Sequence, residues 1–130
     1  MKVMICEEDT SKAKVLTDLL NVYKFKLITL TNSSDFFRQV QNHKPAMIIL
    51  NEKFSEKSRE DVISKLRTNP ISSHIPVLVI SDRSDTKSET NHYGTDALVE
   101  LMQEPFKIKH LRHCVDRWTT FRSLYVKPMN

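Results

Sequence analysis

No apolar run in this chain approaches the roughly 18 residues needed to cross a membrane. A membrane-spanning protein is therefore excluded from expectation. The N-terminus, Met1-Lys2-Val3-Met4-Ile5-Cys6-Glu7, meets acid too early for a signal peptide, so a cytoplasmic location is expected. Cysteine is scarce. Cys6 lies in an apolar run and Cys114 among helix-patterned residues, and neither belongs to a CxxC or Cys/His ligand spacing. Both are expected to be buried, reduced thiols. His110 and His113 stand three apart, but nothing nearby completes a metal site. Glycine is scarcer still: Gly94 is the only one. Between Ser81 and His92 there is no apolar residue at all. A helix there would have nothing to bury, so 82–92 is expected to be a short or distorted helix, or a loop.

What is present fits a single soluble domain. The chain has 130 residues, with 39% hydrophobic and 28% charged, enough for one core. The net charge of +4 is uneven. From residue 105 onward, Lys107, Lys109, Arg112, Arg117, Arg122 and Lys127 oppose Asp116 alone, a net of +5. The first 104 residues therefore carry −1.

The run Ala46-Met47-Ile48-Ile49-Leu50-Asn51 anchors the pattern. An apolar run without alternation reads as a strand buried on both faces, as at the centre of a parallel sheet. Four more strands are expected at 2–6, 25–30, 76–81 and 97–102. Helices alternate with them. The first opens at Thr10 or Ser11 and presents Ala13, Leu16, Leu19, Leu20 and Tyr23 through about residue 22. The second opens at Asn32-Ser33-Ser34 and carries Phe36, Phe37 and Val40. The third follows the box Ser58-x-x-Asp61, carries Val62, Ile63 and Leu66, and ends at Asn69-Pro70. The last starts at Pro105 and lines one face with Ile108, Leu111, Val115 and Trp118. Strict alternation predicts an α/β fold with a doubly wound, five-stranded parallel sheet and helices on both faces. The domain is expected over 1–122, with an irregular tail over 123–130.

In such sheets, ligands bind beyond the carboxyl ends of the strands. Those ends carry Glu7-Glu8, Asn51, Ser81 and Glu104-Pro105. In this order, and with Gly94 before the last strand and Pro105-Phe106 after it, they resemble the response-regulator receiver domain of two-component signalling. The resemblance covers essentially residues 2–122 and implies a flavodoxin-like fold. It also implies roles. Two acids hold a divalent metal, and an aspartate ending the third strand takes a phosphoryl group from a histidine kinase. A hydroxyl on the fourth strand and a lysine before Pro-Phe contact the phosphoryl oxygens. Here Glu7 and Glu8 stand for the metal acids, and Ser81 keeps the hydroxyl. Asn51 replaces the phosphoacceptor. The lysine position holds Glu104, or Leu101 in a shifted register, and no lysine occurs between Lys87 and Lys107. The family's small-residue turn after the third strand is also missing.

The chemistry follows from these departures. A carboxylate is a nucleophile and a metal ligand because it is anionic. An asparagine amide nitrogen is neither. Glu104 puts negative charge where phosphoryl oxygens need a cation. Glu52, the nearest carboxylate, points to the opposite side of the strand by alternation. The expectation is a non-enzymatic pseudo-receiver that works as a protein-interaction module, with no cofactor beyond weak Mg²⁺ at Glu7 and Glu8. Its partner would be a signalling protein or a second copy. The expected interaction face is the last helix with Lys107, Lys109, Arg112 and Trp118. Two other classes stand beside it: binding of an anionic polymer such as DNA through the basic helix, and residual phosphotransfer at an unusual site. The absence of a recognition-helix signature argues against the first of these.

Overall fold

A computed structural model describes residues 1–55, 59–82 and 96–126. Five parallel strands form one sheet: β1 (Lys2–Cys6), β2 (Lys26–Leu30), β3 (Met47–Asn51), β4 (Val77–Ser81) and β5 (Val99–Gln103). Their order is β2-β1-β3-β4-β5. The described helices are α1 (Thr10–Leu20), α2 (Phe36–His43), α3 (Arg59–Thr68) and α4 (Ile108–Val126), with one 3₁₀ turn at Ser33–Asp35 before α2. Gly94 and most of the apolar-free stretch, from residue 83 on, lie outside the described residues, as does Ser58 of the expected capping box.

The apolar runs are explained by burial on two faces. Along β1, Met4 and Cys6 face one way and Val3 and Ile5 the other, and all four are buried. Met4, Cys6, Ile48, Leu50, Val77 and Val79 pack under α2 and α3, against Phe36, Val40, Val62 and Leu66. Val3, Ile5, Met47, Ile49, Leu78 and Ile80 pack under α1 and α4, against Leu16, Leu20, Leu111 and Val115. A strand buried this way needs a hydrophobe at every position, and the period-2 alternation of a half-exposed strand disappears. Cys6 and Cys114 are both buried thiols. Burial pushes the Cys114 thiol up to about 12, helped by the neighbouring Glu100 carboxylate.

Several local expectations are revised. The cap of α1 is Asp9, not Thr10 or Ser11. Its Oδ1 accepts from the backbone N–H of Ser11 at 2.9 Å and of Lys12 at 3.2 Å. Aspartate caps as well as serine does and adds charge at the positive end of the helix. With one glycine in the chain, the left-handed residue ending α2 is Lys44, at φ 47°. Its N–H bonds to the Val40 carbonyl at 2.8 Å.

The last helix starts at Ile108, three residues beyond Pro105. The Glu104 N–H still bonds to the Ser81 carbonyl at 2.8 Å. β5 ends at Gln103, and a bend at Glu104 and Pro105, joined by a cis peptide bond, precedes the helix. Ile108 is 48% exposed and does not belong to the buried face. Phe106 packs into that cluster instead, and Leu111, Cys114 and Val115 continue it. The helix runs through Val126, so part of the expected irregular tail is helical.

Leu111→Ala should cost about 3 kcal/mol, since it removes a fully buried side chain from between helix and sheet. Ile108→Ala should cost less than about 0.5 kcal/mol. Urea unfolding of the two variants distinguishes this helix face from the one expected from periodicity alone.

Candidate functional site

The register of the sheet assembles the site. Cys6 pairs with Leu50, so the residues that follow them, Glu7 and Asn51, become neighbours. Ser81 pairs with Gln103, which sets Asp82 beside Glu104. Leu101 pairs with Val79 and packs into the core, so the shifted register is excluded and Glu104 holds the pocket position. The result is a cavity of about 210 Å³ lined by Glu7, Glu8, Asp9, Lys12, Asn51, Lys53, Asp82 and Glu104.

Glu7 is buried, with 6% of its surface exposed. Its Oε1 accepts from Asn51 Nδ2 at 2.8 Å, and its Oε2 accepts from the Asp9 N–H at 3.1 Å. Asn51 Oδ1 in turn accepts from the Lys53 N–H at 2.9 Å. A backbone donor on one side and a carboxylate on the other determine which way the amide faces. Glu8 is exposed at the rim. Glu52 turns away, and its Oε1 accepts from the Asp82 N–H at 3.1 Å.

Ser81 does not line the cavity. It is fully buried, and its hydroxyl donates to the Asp82 carbonyl at 3.1 Å. Glu104 does line it, and Lys12 Nζ stands 3.4 Å from its Oε1. The attraction of Glu104 raises the Lys12 ammonium above its ordinary pKa against the opposing effect of partial burial, and Glu7 and Asp9 act in the same direction. Lys53 Nζ lies 3.5 Å from Asp82 Oδ2 across the other side.

Sequence reasoning missed Lys12, Lys53 and Asp82. Lys53 carries a faint signal, being two residues past Asn51. Lys12 carries none, since Glu104 lies 92 residues away along the chain.

Two acids of this donor set already have partners. Both oxygens of Glu7 are occupied by N–H donors, and Glu104 faces an ammonium. Among the described residues no group of three His, Cys, Asp or Glu is placed to hold an ion. Glu7 is held by Asn51 and the Asp9 backbone, while Glu8 stands exposed at the rim.

The basic helix is also revised. Arg112 donates from Nε and Nη2 to the Leu19 carbonyl at 3.2 and 3.1 Å, closing the end of α1. Trp118 Nε1 donates to Glu100 Oε1 at 2.9 Å, and Arg117 pairs with the same carboxylate. Burial pushes the Glu100 carboxyl up, but the hydrogen bonds from Arg117 and Trp118 outweigh it and hold it below the usual range. Arg112 and Trp118 thus tie α4 to its neighbours. Of the expected face, Lys107 and Lys109 are exposed.

Arg112→Ala should destabilise by about 2 kcal/mol, because it leaves a helix-end carbonyl without its charged donor. Lys107→Ala and Lys109→Ala should each stay within about 0.5 kcal/mol of the parent. Chemical denaturation of the three variants checks this division between structural and solvent-facing cations.

No family model matches the chain. It is 26% identical over 93 residues to Protein RcaC of Microchaete diplosiphon, covering 72% of this chain and 14% of that protein. It is 26% identical over 111 residues to the transcriptional regulatory protein KdpE of Staphylococcus aureus, covering 85% of this chain and 46% of that one. The chain thus spans less than half the length of either relative. Among solved structures, it superposes on the signal receiver domain of a signal transduction histidine kinase from Syntrophus aciditrophicus with a TM-score of 0.80, at 20% identity. That match covers 99% of this chain and 94% of that domain. A response regulator receiver domain protein from Clostridium thermocellum gives a TM-score of 0.80 at 14% identity, covering 96% and 98%. The chain has the flavodoxin-like fold of response-regulator receiver domains.

Proposed function

We propose that this chain is a receiver-type signalling module that acts by binding a signalling protein, without conventional aspartyl phosphorylation. The observation that carries the reading is the 2.8 Å hydrogen bond from Asn51 Nδ2 to Glu7. At the carboxyl end of the central strand stands a neutral donor, already satisfied, where acyl-phosphate chemistry needs an anionic nucleophile. Glu104 adds negative charge at the position of the expected lysine. An incoming phosphoryl dianion would meet like charge and no cation free of an acidic partner among the described residues of the pocket.

The effect of such a module comes through contact. Lys107 and Lys109 at the start of α4 are exposed beside Ile108, and Val15 of α1 is 55% exposed. These side chains offer a mixed apolar and basic surface to a protein partner. Binding of an anionic polymer is less well supported, because Arg112 and Arg117 of the basic set already hold internal acceptors.

The test is incubation with acetyl phosphate and Mg²⁺, followed by intact-mass measurement. The parent chain should gain no phosphoryl group. Asn51→Asp alone should also fail to accumulate a long-lived phosphorylated form. That substitution sets a second carboxylate against buried Glu7, and two like charges in contact raise the pKa of the pair and weaken the nucleophile. Glu104 remains unchanged. Stoichiometric phosphorylation of Asn51→Asp with Glu104 intact would overturn the reading of the site.

A further inference from the structure

The pocket collects five carboxylates, Glu7, Glu8, Asp9, Asp82 and Glu104, against two ammonium groups. Carboxylates lining one cavity repel one another, and a cation among them offsets that repulsion. With Lys12 against Glu104 and Lys53 against Asp82, two cations of the chain already stand among these acids. Lys12 is placed to supply the offset. Its backbone N–H is held by Asp9 in the first turn of α1, and its side chain reaches across to Glu104 at the end of β5. It also lines a second cavity of about 180 Å³, with Val15, Leu16, Ile80 and Phe106. Glu7, Lys12 and Glu104 line both cavities, so the Lys12–Glu104 pair stands where the acidic pocket meets the apolar groove.

The geometry points to Lys12 as the resident counter-cation of this pocket: an ammonium built into α1 takes the electrostatic place of a divalent ion and makes the folded domain indifferent to Mg²⁺. Lys53, against Asp82, plays the lesser part at the outer rim. This deepens the reading of the site as one without acyl-phosphate chemistry, but it can fail independently. The inference concerns which cation balances the acids, not whether Asn51 reacts.

The test is thermal unfolding of the full chain at low ionic strength, in MgCl₂ and in NaCl of matched ionic strength. The parent should melt at the same temperature in both. Lys12→Met should melt lower in NaCl and recover in MgCl₂, with an apparent Mg²⁺ affinity about tenfold above that of the parent. Lys12→Arg, which keeps the charge, should behave as the parent. Lys12 is half exposed, so the variants should fold. Lys12→Gln serves as a second neutral variant. Recovery confined to the neutral variants supports the inference. An equal Mg²⁺ response in parent and variants, or no response in any of them, overturns it. Phosphorylation of the parent in the mass assay would refute the functional reading while leaving this titration to stand or fall by itself.

Discussion

Burial of β1, β3 and β4 on both faces is the constraint from which the rest follows. Each of these strands presents hydrophobes up and down, so each needs a helix layer on either side. Helices on both faces require parallel crossovers, and parallel crossovers align the carboxyl ends of the strands along one edge. Whatever residues terminate the strands are then brought together, whether or not they retain chemistry. In this chain the residues at those ends are the acids Glu7 and Glu104, the amide Asn51 and the buried hydroxyl of Ser81.

The polar edge is organised around what the amide does. Asn51 bridges Glu7 and the backbone of Lys53, tying the ends of β1 and β3 together by neutral and charge-assisted hydrogen bonds. Glu104 and Asp82 are met by lysines from α1 and from the turn after β3. These pairs are partly exposed, and their individual energies are small. Their collective effect is on the electrostatic character of the pocket. Among the described residues it offers anions no cation without an acidic neighbour.

The basic C-terminal segment shows how composition can mislead about surface chemistry. Six cations against one acid suggest a polyanion-binding face. Two of the most central, Arg112 and Arg117, instead serve a carbonyl on α1 and a carboxylate on β5. Arginine suits these tasks because its planar fork can donate twice from one side, as Arg112 does to Leu19. The lysines nearest the start of the helix have no such geometry, and Lys107 and Lys109 face solvent.

The order of strands and helices, the buried runs and the strand-end residues Glu7, Asn51, Ser81 and Glu104 were legible in the sequence, because periodicity and apolar runs report burial directly. The start of α4 was not. Pro105 is a plausible first helical residue by propensity, but a bend at Glu104 and Pro105 delays the helix to Ile108. Nor was the cap at Asp9 distinguished from its neighbours Thr10 and Ser11, since all three side chains can accept from a helix N-terminus. The sequence by itself determined the fold class and the identity of the residues at the strand ends, Asn51 among them, since both depend on residue identity and local pattern. Only the tertiary structure decided that Ser81 is buried away from the cavity, that half-buried Arg112 and Trp118 bond to α1 and β5, and that Lys12 meets Glu104. Those outcomes depend on strand register and on contacts between segments distant in the chain, which no local pattern encodes.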